Sequence, residues 1–368
     1  MRNAELTSLT GIRFYAVLLV FVTHATELPG LEWLRHVHLF KVTGQAGVSV
    51  FFVLSGFILT YNYAGVFEGG VSMGSWSQFV WNRLAKIYPM HFLTLLIAVP
   101  LQLFSPNLPL DWRAVPVQLL MGQCFLPFAH PPLHAFLNGP SWSISCEFFF
   151  YLLAPFAICW LGRWRKLLTS GLILAGYLAV VAVYLYSTKP DEQPGYFQYY
   201  FAPTRFIEFM SGICVAFAYL RNTKAMTASL TTICTAAAVI LLCAGAILQK
   251  LHPWPFQYAI NYLPGATLLI YTLSRGRGRV AGHLGLQSME LLGMASYSFY
   301  LIHMPVIRCI RGLFRHFHVL VPSAPVIALS VIGCFVIAQV CAIGMFRFLE
   351  VPSQQALKRL GRGFRETR

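Results

Sequence analysis

The sequence predicts an all-α integral membrane protein, a bundle of about ten transmembrane helices with both termini in the cytoplasm. Its 368 residues are 57% hydrophobic and only 11% charged, with a mean hydropathy of +0.63. Soluble domains are about 25% charged. Apolar runs of spanning length recur from one end of the chain to the other, and cations collect on alternate connections between them. In a soluble chain, 27 Lys and Arg against 12 Asp and Glu would suggest a nucleic-acid partner. Here they set topology, and that function class drops out.

Spans are expected near 9–28, 46–64, 86–104, 142–161, 168–187, 203–221, 228–248, 257–273, 290–313 and 324–349. The segment 113–128 is apolar but short and holds two prolines, so it reads as a re-entrant or surface piece. With the N-terminal side taken as inside, the inner connections carry Arg83 and Lys86, then Arg163, Arg165 and Lys166, then Arg221 and Lys224, then Arg275, Arg277 and Arg279. The outer ones hold scattered Arg35, Lys41, Arg113, Lys189, Lys250 and Arg315. That bias follows the positive-inside rule. Residues 1–352 are expected to form the membrane domain, and 353–368 a basic cytoplasmic tail.

The first apolar run, with Arg13 inside it, reads as an uncleaved helix and not a leader peptide. Nine cysteines without a CxxC pair or metal-ligand spacing read as small buried hydrophobes, and no metal is expected. The long outer connection 105–140 has the length of a functional lid. Within it, His130 and His134 flank Pro131 and Pro132, which disfavour a helix and make loop surface the better reading than a metal site.

Each ionisable group inside a span is a candidate for function, the alternative being a snorkelling or structural side chain. The run Leu9–Ala25 carries Arg13 and His24, eleven positions apart. Eleven steps of 100° return to within about 20° of the same face, roughly 16 Å along the axis. Two such residues on one stripe imply that it faces a polar interior. His24 lies in the outer half and suits proton transfer near neutral pH. Glu147, in SWSISCEFFFYLLAP, lies at comparable depth. A buried carboxylate needs a partner or stays protonated, and pairing with a histidine would orient the ring.

Arg205 and Glu208, three apart, read equally as a structural ion pair and as a substrate contact. His303 lies mid-span, with Tyr297 and Tyr300 about a turn behind it and Pro305 just after, where helix hydrogen bonding should break. Such a break beside a histidine suits a cavity wall. Arg83 and Lys86 are topogenic charge or a phosphate-binding corner for a nucleotide-type donor.

Taken in order, these motifs resemble the membrane acyltransferase family 3, integral-membrane enzymes that O-acylate surface glycans and some small molecules. The resemblance covers almost the whole chain. It rests on Arg13 and His24 in LTGIRFYAVLLVFVTHA, on GVSVFFVLSGFILT with Ser55, Gly56 and Phe57, on SWSISCEFFFY with Glu147, on RFIEFMSG, and on SYSFYLIHMP with His303.

The resemblance implies a cytoplasmic acyl-CoA donor, usually acetyl-CoA, held by Arg13, Arg83 and Lys86. His24 would be the general base, tuned by Glu147, while Arg205, Glu208, His303 and Tyr300 line the acceptor end. Lys86 stands where the family commonly has a second arginine, and lysine lacks the bidentate phosphate contact. The implied acceptor is a hydroxyl of a glycan such as exopolysaccharide or lipopolysaccharide, with polysaccharide-assembly partners, in the bacterial inner membrane. A small-molecule or lipid acceptor is the alternative. A proton-coupled transporter is the alternative from another class; the sequence shows neither the inverted repeat nor the paired broken helices that would favour it.

Overall fold

The computed structural model describes residues 6–103, 111–125, 137–163, 176, 199–251, 257–319 and 322–366. Among these there are helices and connections but no strand. The helices run as α1 (Thr7–Ala25), α2 (His38–Phe67), α3 (Met73–Leu103), α4 (Ala114–Leu119), α5 (Trp142–Arg163), α6 (Ala202–Arg221) and α7 (Ala228–Leu251). They continue as α8 (Gln257–Ile260), α9 (Leu263–Arg275), α10 (Arg279–Leu284), α11 (Gln287–Met294), α12 (Ser296–His316), α13 (Ala324–Met345) and α14 (Val351–Glu366). A π turn, Phe346–Glu350, joins the last two. Proline near the first position starts α6, α9 and α13, where its missing N–H costs nothing.

Six stretches are long and apolar enough to cross a membrane among the described residues: Thr7–Ala25, His38–Phe67, Met73–Leu103, Gly139–Arg163, Ala228–Leu251 and Ala324–Gly361. The chain is a multi-pass membrane protein. α6 and α12 have 20 and 21 residues, enough for a hydrocarbon core of about 30 Å, but each carries three charged side chains. Large apolar side chains stand outward on α7 (Ile233, Ile240, Ile247) and α13 (Leu329, Ile332, Val340), as lipid-facing helices require.

The structure corrects several expected spans. The 257–273 span is divided into α8 and α9 around Asn261 and Tyr262, and the 290–313 span into α11 and α12 at Ala295. α12 then runs unbroken through Pro305. The 168–187 span, His130 and His134 lie outside the described residues, Gly176 excepted. Segment 113–128 yields only the short α4 in its described part. Three cysteines, Cys243, Cys309 and Cys341, are exposed, because they fall on outward faces of apolar helices where a thiol needs no cover. The basic tail is helical as far as Glu366.

The chain folds as two compact units, and α1, α2, α3 and α5 each contribute to both. The first unit comprises residues 1–13, 48–80 and 146–290. Within it α9 packs on α6 and α7. Gly56 of α2 and Gly212 of α6 cross in contact, since a β-carbon on Gly56 would strike the Phe209 carbonyl and one on Gly212 the Val53 carbonyl. Around this crossing Phe52 packs edge-on to Phe150, which lies tilted to Phe206 and Phe209, and those two rings stack on each other.

The second unit comprises residues 14–47, 81–145 and 291–368. Phe21 of α1, Phe299 of α12 and Phe335 of α13 form a triangle with ring centroids 5.6–5.9 Å apart. This fixes α1 against α12 at the level of the residues described next. At the same end of α12, one residue before Phe299, Ser298 Oγ donates to the buried Glu350 carboxylate at 2.7 Å, at the end of the π turn. Trp81 Nε1 donates to the Leu357 carbonyl at 2.9 Å, holding α14 to the start of α3.

The helix crossing yields a test. Gly56→Ala and Gly212→Ala are each expected to destabilise the purified protein by about 1–3 kcal/mol through overpacking, read as a lower thermal midpoint in detergent. Gly65→Ala, on the same helix with open space around it, is expected to leave the midpoint unchanged or slightly raised.

Candidate active site

α1 delivers His24 in its last turn, and α12 delivers His303 two turns from its start. Both belong to the second unit. His24 Nδ1 lies 2.9 Å from His303 Nε2, with ring centroids 5.0 Å apart. His303 is fully buried, stacked on Phe299 and edge-on to Tyr300; His24 is half-buried. The second contact of His303 fixes the protons. Its Nδ1 lies 3.2 Å from the Phe299 carbonyl, which only accepts, so Nδ1 carries the hydrogen. In the neutral ring Nε2 is then the acceptor, and His24 Nδ1 donates to it. That leaves the lone pair of His24 on Nε2. The pair is an oriented base with its basic nitrogen defined.

The α12 helix is stiffened where Pro305 would weaken it. Proline has no N–H for the carbonyl four residues earlier, and that carbonyl, Leu301, instead accepts from Asn138 Nδ2 at 2.8 Å. Asn138 is fully buried. At the same level, Ser143 Oγ donates to Tyr300 Oη at 2.8 Å. Tyr297 Oη donates to the Ile87 carbonyl at 2.6 Å, tying α12 to α3. Beyond His303 the same helix presents Arg308, whose Nη1 donates to the Leu137 carbonyl and to Gln102 Oε1. Arg311 follows, paired with Glu27 at 2.8 Å.

Comparison with known proteins gives the family. A model of the acyltransferase domain matches residues 6–343, nearly the whole chain. The chain belongs to the acyltransferase 3 family. It is 34% identical over 334 residues to acyltransferase MdmB of Streptomyces mycarofaciens, covering 83% of this chain and 80% of that protein. It is 24% identical to the peptidoglycan O-acetyltransferase OatA of Listeria monocytogenes, across 94% of this chain and 55% of that protein. For O-acetyltransferase OatA of Staphylococcus aureus the identity is 23%, with 94% and 57% covered. The chain thus spans little more than half the length of these two OatA proteins. No solved structure matches. The protein is an O-acyltransferase.

The other residues singled out in the acyltransferase sequence are distributed as follows. Arg13 is half-buried on α1, in the first unit. Arg83 and Lys86 are half-buried on adjacent turns of α3. Glu147 is half-buried on α5 in the first unit and accepts from Tyr151 Oη at 2.6 Å. Arg205 and Glu208 form a two-pronged ion pair at 2.7 and 3.1 Å, both fully buried. Ser49, Phe52 and Tyr199 surround the guanidinium. Of the two readings weighed for this pair, these contacts support the structural one. Among the described residues no three His, Cys, Asp or Glu stand close enough to hold a metal.

The sequence reading did not single out Asn138, Glu27, Arg308 or Arg311. A signal existed for the arginines, since 308, 311 and 315 repeat at helical spacing after His303. Asn138 had none. Its role predicts that Asn138→Ala strands the Leu301 carbonyl and costs about 1–3 kcal/mol, read as a lower thermal midpoint, whereas Asn138→Gln recovers part of the loss.

Proposed function

We propose that the protein moves an acyl group, taken as acetyl, from cytoplasmic acyl-CoA to a hydroxyl of a glycan on the opposite face of a bacterial inner membrane. The observation that carries the reading is the His24–His303 hydrogen bond, which leaves His24 Nε2 as an oriented base. In this reading Nε2 takes the proton of the acceptor hydroxyl as its oxygen bonds to the thioester carbonyl carbon. The tetrahedral centre then collapses, the carbon–sulfur bond breaks, and the departing thiolate takes the proton back from His24. Throughout, His24 Nδ1–H stays bonded to neutral His303, the part played by a carboxylate in hydrolase triads.

Ten spans and cytoplasmic termini are part of the same reading, supported by the cations at Arg83, Lys86, Arg163, Arg221, Lys224, Arg275, Arg277 and Arg279, at or near the inner ends of the expected spans. In that topology Arg13, Arg83 and Lys86 face the cytoplasmic donor and attract its phosphates. His303 and Tyr300 back the acceptor end. A glycan acceptor is supported by the OatA relatives, one of which is named for peptidoglycan.

The test is transfer of label from radiolabelled acetyl-CoA to membrane-derived glycans by the purified protein. His24→Ala is expected to lower kcat by about 10²–10⁴-fold, the worth of a general base. His303→Ala is expected to lower kcat as well, with the KM for acetyl-CoA unchanged. Lys86→Ala is expected to raise that KM with protein abundance unchanged. No transfer to any acceptor, together with normal function of His24→Ala in cells, would overturn the reading.

A further inference from the structure

Arg308 stands out once the histidine pair is in place. It lies five residues beyond His303 on α12, half-buried, in a stretch that is apolar on either side as far as Met304 and Ile310. One corner of its guanidinium is fixed, because Nη1 is held by two oxygens, the Leu137 carbonyl and Gln102 Oε1. Among the described residues Nε and Nη2 have no hydrogen-bond partner, so that edge of the fork is open. The end of α1 meets α12 on either side of this residue, at His24–His303 and at Glu27–Arg311, so Arg308 stands between the two contacts.

Glu27 offsets its charge only in part, since its carboxylate is bonded to Arg311. One negative charge at Glu27 against two positive charges at Arg308 and Arg311 leaves this cluster with one net positive charge. A fixed cation that is only partly compensated inside a spanning helix is costly and marks function. Here it lies beside the base.

Resting on the acyl-transfer reading above, we infer that Arg308 is the cation that receives the negative charge of the tetrahedral intermediate. When the acceptor oxygen bonds to the acyl carbon, the carbonyl π pair moves onto oxygen, and the open Nε–Nη2 edge donates to that oxyanion. When the carbon–sulfur bond breaks, the pair returns to the carbonyl and the charge leaves with the thiolate. The proton rests on His24 Nε2 in between. Donors that are held in place before charge develops need no reorganisation when it does, and the Leu137 and Gln102 contacts supply that holding. The same fork also suits a carboxylate on the acceptor. The observations favour the oxyanion, because Arg308 stands between the His24–His303 and Glu27–Arg311 contacts, next to where the reaction occurs, and a carboxylate carried elsewhere on an acceptor requires no such placement.

The test uses the full-length protein in detergent, [¹⁴C]acetyl-CoA and membrane-derived glycans. Arg308→Ala is expected to lower kcat by about 10²–10³-fold, with the KM for acetyl-CoA and for glycan each within about threefold of wild type. Millimolar guanidinium ion is expected to restore a large part of the rate. If Arg308→Ala does not fold, judged by size exclusion, Arg308→Lys is the measure and is expected to lose at least about tenfold in kcat.

A rise in the KM for glycan with kcat retained would assign Arg308 to an acceptor carboxylate and overturn the inference. So would unchanged kinetics, or a rate loss that guanidinium leaves untouched while the protein stays folded. Active wild type with a silent Arg308 substitution overturns this inference alone. An inactive wild type overturns the acyl-transfer reading with it.

Discussion

The contact on which the rest of the structure depends is the 2.9 Å hydrogen bond between His24 and His303. Two imidazoles facing each other inside a membrane protein are stable when both are neutral, since a charged pair would meet both desolvation and mutual repulsion. The Phe299 carbonyl settles which nitrogen of each ring holds a hydrogen. A half-buried histidine with a fully buried histidine behind it differs from a histidine backed by a carboxylate. It has a fixed direction without a resident negative charge, and that suits a site where an oxyanion must form.

Much of the second unit holds this contact in place. The triangle of Phe21, Phe299 and Phe335 sets the distance between α1 and α12. Asn138 repairs the backbone gap left by Pro305, so the helix carrying His303 stays straight enough to continue to Arg308 and Arg311. Ser143 and Tyr297 add side-chain ties at the same level and one turn earlier. The first unit is organised differently, around a glycine crossing and the Arg205–Glu208 pair. A doubly hydrogen-bonded ion pair with no exposure contributes less to stability than its Coulomb energy suggests, but removing either partner strands a buried charge.

Legibility in the sequence followed locality. Helices with sharp apolar boundaries, such as α5, α6 and α7, were placed within a few residues of where they stand, because composition and topogenic charge mark their ends. α2 and α3 extend well beyond their apolar windows, since a helix need not stop where the hydrocarbon does. The break at Ala295 escaped notice because one residue separates the two helices and backbone hydrogen bonds continue across it, from Ala295 to Leu291 and from Phe299 to Ala295. His24 and His303 were each conspicuous as ionisable groups in apolar helices. Their pairing was not, because 279 positions separate them and depth alone suggested Glu147 as the partner. Arg308 was hidden by its neighbours, which made it look like part of a charged helix end. Asn138 was invisible, as the value of an amide depends on the carbonyl that it meets.

The central claim is a proton assignment, and ¹⁵N NMR of the histidine-labelled protein in lipid tests it directly, with His303→Ala used to assign the signals. The account predicts that at neutral pH both His24 and His303 are neutral with the hydrogen on Nδ1, and that removing His303 lets His24 populate the other tautomer. Finding His24 with its hydrogen on Nε2 and a lone pair on Nδ1, or finding its tautomer indifferent to His303, would contradict the account.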